Sequence, residues 1–169
     1  MKRLGFLIFI ISLFFCSCNN NEPDLQIELP INAVFLPATI DINKADIDQQ
    51  EREGIMKLVN NKHIVNDVSE LPNDPIGQNE AFHNINYKEH TLLIMYQFRS
   101  WTIDTYSNLF YRNTEENSYN WVVRLGTTGN DDDTEVVHLT RFAILVKKLP
   151  DGADVITWTS LTQLAVNPE

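Results

Sequence analysis

Hydrophobic and polar positions change their rhythm several times along this chain. Leu4 to Phe15 carry no charge and are almost wholly apolar, directly after Lys2 and Arg3. Leu25, Ile27 and Leu29 then alternate with Gln26 and Glu28, and Ala33-Val34-Phe35-Leu36 follow Pro30. Period-two alternation predicts one or two short strands up to about Pro37, and the prolines confine them to a sheet edge. Asp41 to Glu53 is rich in charge and amide, which fits a loop or an irregular helix. Gly54 to Val59, Asn60-Asn61-Lys62 and His63 to Val65 predict strand, turn and strand, because Asn tolerates the left-handed backbone of a tight turn. Ser69 and Glu70 suggest a single helical turn, which Pro72 interrupts.

The second half alternates more clearly. Thr91 to Phe98 is the most apolar run after the leader and predicts a central strand. Ile94, Tyr96 and Phe98 share one parity, whereas Trp101 and Ile103 share the other. A strand changes face at every residue, so this slip predicts a bulge or turn near Arg99-Ser100. It also means that Tyr96 and Trp101 cannot both point inward on one regular strand. Tyr119, Trp121, Val123 and Leu125 alternate with polar residues, and Val136 to Lys147 is apolar on both parities. Pro150-Asp151-Gly152 predicts a turn into a strand over Val155 to Thr159. Strands in succession with short turns predict an α+β fold, mostly β: an antiparallel sheet with one or two short helices.

The leader decides where such a domain works. Its apolar block of 12 residues is too short for a permanent span, which needs about 20, and its basic start matches a secretory signal. Phe15-Cys16-Ser17-Cys18 follows it. This segment resembles the lipobox of bacterial lipoproteins, in which a small residue precedes the cysteine, although Phe15 stands where the family usually has Leu. The resemblance implies cleavage before Cys18 and acyl chains on its thiol and amine, which together make a durable membrane anchor. The expected organisation is a signal peptide over 1–17, a lipidated N-terminus and tether over 18–28, and one globular domain over 29–169. The expected place is the envelope of a Gram-negative bacterium, in the outer membrane.

Charge and cysteine count narrow the chemistry. Net charge is −10, and −12 once Lys2 and Arg3 are removed with the leader. Such a surface repels phosphate backbones, so nucleic acid is not an expected partner. Both cysteines lie at the leader junction, which excludes an internal disulfide or a cysteine-ligated metal in the mature domain. Asn130-Asp131-Asp132-Asp133-Thr134-Glu135 concentrates carboxylates without the spacing of a calcium loop, and reads as a solvated hairpin. His63, His83, His90 and His138 form no metal-ligating pair in sequence. Nucleophile elbows and glycine-rich phosphate loops are missing, so no cofactor is expected and catalysis is not the favoured reading.

Aromatic residues offer the alternative. Tyr96, Phe98, Trp101, Tyr106, Phe110, Tyr111, Tyr119 and Trp121 cluster around the break in alternation. Most belong to a core, but an exposed ring there would present a flat face to a sugar or a protein. Trp101, Tyr106 and Tyr111 are the expected ligand contacts of a non-catalytic binding or accessory module, with an envelope protein or glycan as partner. An envelope hydrolase or metal-dependent enzyme, using Asp131 to Asp133 and a histidine, is the competing expectation.

Three segments carry a second resemblance: Val68-Ser69-Glu70-Leu71-Pro72, Asn86-Tyr87-Lys88-Glu89-His90-Thr91-Leu92-Leu93, and Lys148-Leu149-Pro150-Asp151-Gly152. Their order is similar to the C-terminal domain of a lipoprotein family associated with a surface protease complex, which implies an accessory role without catalytic residues. Where that family has Thr-Gly-Gly-Tyr after the central strand, this chain has Arg99-Ser100-Trp101-Thr102-Ile103.

Overall fold

Two neighbouring strands, β4 (His90–Arg99) and β7 (Val136–Lys147), are apolar on both parities and buried on both faces. The computed structural model describes residues 27–77, 79–129 and 136–164. Within it β4 and β7 pair antiparallel along ten positions, from His90 opposite Lys147 to Arg99 opposite His138. They form the centre of a four-stranded sheet in the order β2-β7-β4-β3, with β2 (Ile31–Asn43) and β3 (His63–Val65) at its edges. A second four-stranded sheet has the order β1-β5-β6-β8. Its members are β1 (Ile27–Glu28), β5 (Thr105–Asn113), β6 (Ser118–Thr127) and β8 (Val155–Gln163).

The two parities of the central pair face different partners. Leu93 and Met95 of β4, with Phe142, Ile144 and Val146 of β7, pack on Phe110, Trp121, Val123, Leu125 and Val155 of the second sheet. Leu92, Ile94 and Tyr96, with Leu139 and Ala143, pack on Phe82 and on the partly buried Ile55, Leu58 and Val59. The molecule thus has three layers: sheet, sheet, and a helical layer on the outside of the β2-β7-β4-β3 sheet. Strands account for 52% of the described residues and helices for 15%, so the fold is α+β and mostly β, as the patterning predicts.

The helical layer holds α1 (Gln49–Asn60), a 3-10 turn (Val68–Glu70) and α2 (Glu80–His83). Gly54 to Val59 is therefore helix, where the sequence reading expects a strand. Its apolar residues Ile55, Leu58 and Val59 stand three and four positions apart, which is helical spacing. Asp48 and Glu51 form a capping box at its start: Glu51 N–H donates to Asp48 Oδ1 at 2.8 Å, and Asp48 N–H donates to Glu51 Oε2 at 3.3 Å. At its end Asn61 Nδ2 donates to Lys57 O at 2.7 Å.

Two further differences have topological causes. Residues 27–28, within the expected tether, pair with Arg112 and Tyr111 of β5. The β6–β8 pair runs parallel, unlike every other pair. Between them the chain crosses to β7 in the other sheet, and returning past the Pro150–Ala153 turn it starts again beside Tyr119, where β6 starts. Pro37 sits at the register shift between Phe35 and Ala38 on the edge strand β2, where the missing N–H costs nothing.

Arg141 ties the helical layer to the sheet. Its guanidinium donates to Asp74 Oδ2 and, at 2.7 Å, to Gly77 O, and it lies 5.2 Å from the ring centre of Phe82. Both side chains of this ion pair are less than a tenth exposed. Removing one partner of such a pair strands a buried charge, so Asp74→Ala is expected to destabilise the fold by about 3–5 kcal/mol in denaturant titration. Gly54, in the interior of α1, has open space where a Cβ would go. Gly54→Ala is expected to stabilise by about 0.5–1 kcal/mol by the same measurement, since Gly is a poor helix former.

Candidate functional site

The inter-sheet layer is apolar over most of its length and turns polar at one end. On β4 the parity of Leu93 and Met95 continues into Gln97 and Arg99, and on β7 that of Ile144 and Phe142 continues into Thr140 and His138. The edge strand β2 sets Thr39 opposite Thr140 and Asp41 opposite His138. Register alone therefore builds two polar rows, Thr39–Thr140–Gln97 and Asp41–His138–Arg99. Of these, Thr39, Asp41, His138 and Arg99 line a cleft of about 470 Å³, together with Thr102, Ile103, Asp104 and Tyr106 from the β4–β5 connection and the start of β5.

Arg99 is the buried charge of this cleft, 5% exposed. Nη1 donates to Trp101 O at 2.6 Å, Nη2 donates to Thr140 Oγ1, and the guanidinium lies 5.1 Å from the centre of the Trp101 ring. Nε has no partner. Burial pushes the guanidinium down to about 10, so it stays charged at neutral pH. Thr140 Oγ1 is also 2.9 Å from Thr39 Oγ1, which joins Arg99 to the β2 edge. His138 Nδ1 and Asp41 Oδ1 are 2.7 Å apart, with the imidazole mostly buried and the carboxylate 71% exposed. Asp104 Oδ2 accepts bonds from Thr128 N and Oγ1, and Asp104 N–H donates to Gly126 O at 2.9 Å. Gly126 permits this close return of the chain, because a methyl there would collide with Thr105 Oγ1 and crowd Leu164.

Of the three aromatic residues expected as ligand contacts, Tyr106 lines this cleft, whereas Trp101 is not among its lining residues and reaches it only through Arg99. Trp101 is half-buried against the inter-sheet core, and Tyr106 packs on the same core while its hydroxyl donates to Phe35 O at 3.4 Å. Tyr111 lies apart: Phe110 and Trp121 share the inner face of their sheet, so Tyr111, one residue on, faces out. It has company there. Leu109, Val122 and Trp158 form one row across β5, β6 and β8, and Trp158 is the most exposed of the three tryptophans described, at 56%. The parity conflict between Tyr96 and Trp101 resolves without strain. Tyr96 is buried under the helical layer, Trp101 packs between the sheets, and the chain bends at Ser100 and Trp101 after β4 ends.

A second cavity, about 650 Å³, lies between α1 and the outer face of the β2-β7-β4-β3 sheet. Ile40, Ile42, Ile55 and Leu58 make it mainly apolar, and Glu51, Lys57 and His63 stand around it. No side chain of α1 is fully buried, so this cavity is the slack between a short helix and a twisted sheet. Cys18 and the Asp131 to Asp133 run lie outside the described residues. Among the described residues no group of three or more His, Cys, Asp or Glu is set to hold a metal ion. No family model, curated protein or solved structure matches this chain.

Burial ranks the tryptophans, and their removal should follow it. Trp121→Ala, at a fully buried site, is expected to cost about 3–5 kcal/mol. Trp101→Ala is expected to cost about 2 kcal/mol, and Trp158→Ala under about 1 kcal/mol, both by denaturant titration.

Proposed function

We propose that this chain is a cell-envelope lipoprotein, held to its membrane by lipid on Cys18, whose sandwich domain is a non-catalytic binding or accessory module. The single observation that carries the binding role is the polar end of the inter-sheet layer. There Tyr106 and the buried Arg99 guanidinium line a cleft of small-molecule size, and the Trp101 ring lies against that guanidinium. Aromatic rings and a fixed charge hold and orient a ligand. The lipid anchor is supported by the leader and by Ser17-Cys18. Among the described residues no helix is long and apolar enough to cross a membrane.

One observation favours a second reading, an envelope hydrolase: the His138–Asp41 pair at the cleft wall has the spacing of a general base and its orienting carboxylate. Titration of the mature chain in detergent with envelope glycan and peptide fragments, with each fragment's mass followed afterwards, separates the two. Saturable binding with the fragment unchanged is expected. Conversion of a fragment that stops in His138→Ala would instead make it an enzyme. For the anchor, mass spectrometry of the mature N-terminus is expected to find Cys18 acylated, and Cys18→Ala is expected to leave the membrane fraction. Retention of that variant as firm as the native chain's would refute the lipid attachment.

A further inference from the structure

The domain contains two arginines buried to nearly the same degree, Arg99 at 5% and Arg141 at 6% exposed. Arg141 is balanced inside the fold by Asp74. Arg99 is not: its partners are a backbone carbonyl, a hydroxyl and an indole face, its Nε is unpartnered, and among the described residues no carboxylate forms an ion pair with it. A charge taken out of water without a counter-charge is costly, and an arriving carboxylate that pairs with a guanidinium offsets that cost. Arg99 lines the open cleft, where a ligand can reach its surroundings.

The same cleft carries charge of the other sign near solvent. Asp41 and Asp104 are both exposed lining residues. Each uses one carboxylate oxygen on the protein, Asp41 towards His138 and Asp104 towards Thr128, and the other oxygen of each has no bond among the described residues. A simple anion would meet two carboxylates at the mouth and a chain of net charge −10. A simple cation would meet Arg99 within. A molecule with both charges satisfies both ends.

Resting on the binding-module reading above, we propose that the cleft takes a small zwitterionic amino-carboxylate, a free amino acid or dipeptide. Its carboxylate goes to Arg99, its ammonium to Asp41 and Asp104, and its side chain lies beside Tyr106. The volume of about 470 Å³ is in the range of small-ligand sites.

Calorimetric titration of the mature lipidated chain in detergent tests this with free amino acids, the dipeptide Ala-Ala, its C-terminal amide and its N-acetyl form. Amidation is expected to weaken binding by about 30-fold or more, since it removes the partner of a buried charge. N-acetylation is expected to weaken it by about 5-fold, as for an exposed ion pair. In Arg99→Gln the acid and the amide are expected to bind alike, an outcome that a merely structural Arg99 would not produce. If that variant does not fold, the comparison of acid with amide on the native chain decides alone. Equal affinity of acid and amide in the native chain, or no saturable binding of any amino acid or of Ala-Ala at millimolar concentration, overturns the proposal. Should uncharged glycan fragments then bind, the module reading survives and the ligand class falls; should nothing bind, both fall.

Discussion

The architecture rests on the fact that β4 and β7 are apolar on both parities. A strand in an ordinary two-sided sheet shows water one face, but Leu92 to Tyr96 and Leu139 to Ile144 have no face to show. Each face must be covered, and the chain supplies two different covers: a second sheet against one, and α1 with the segment running to α2 against the other. At roughly 25 cal/mol for each Å² of apolar surface removed from water, this double burial is the main stabilising term available to a domain with no internal disulfide. The remaining strands are edges or one-sided, and they tolerate the Pro37 bulge, the two-residue β1 and the exposed β8 accordingly.

The same arrangement explains why a cleft forms where it does. A layer between two sheets can turn polar only near its end, where the sheets stop and water enters. Continuing the inward parity of β4 and β7 past Met95 and Phe142 puts Gln97, Arg99, Thr140 and His138 into that layer. The apolar sequence of both strands runs out at matched register positions, so the polar groups arrive together. Arg141 shows how the fold treats a buried charge that is purely structural: a carboxylate, a carbonyl and an aromatic ring surround it. Arg99 has the carbonyl and the ring but, among the described residues, no carboxylate.

Much of the second half was legible in the sequence because alternation and burial are the same signal there. The end of β4, the β6 alternation and the two-faced β7 follow from side-chain parity, and the Pro150 turn follows from Pro-Asp-Gly. The first half was less legible. Gly54-Ile55-Met56-Lys57-Leu58-Val59 is short, apolar and begins with Gly, so it reads equally as a strand; the capping box of Asp48 and Glu51 was the local signal that favoured a helix. The candidate site was half visible. The slip between Phe98 and Trp101 marked the right place in the chain, and Tyr106 lines the cleft there. Arg99, within the slip itself, carried no sign of burial, and Asp41 is 97 residues from His138. Such a pair is a product of strand register, which no local pattern reveals.

Tyr111 and Trp158 mark the limit of reasoning from aromatic content. An aromatic residue on a strand is core or surface according to parity and to whether anything covers its face, and both conditions separate Trp121 from Trp158. Both sit within the β5-β6-β8 sheet, and both indole N–H groups bond an asparagine, Trp121 to Asn108 and Trp158 to Asn120. Trp121 faces the other sheet and is fully buried, while Trp158 lies on the opposite face beside Val122 and remains half exposed. The Trp101 ring differs from both. Trp101 is fixed from one side by the core and from the other by the Arg99 guanidinium, so its position follows that of the charge. Arg99 thus links the cleft it lines to the bend that ends β4, because its guanidinium holds both the ring and the carbonyl of Trp101.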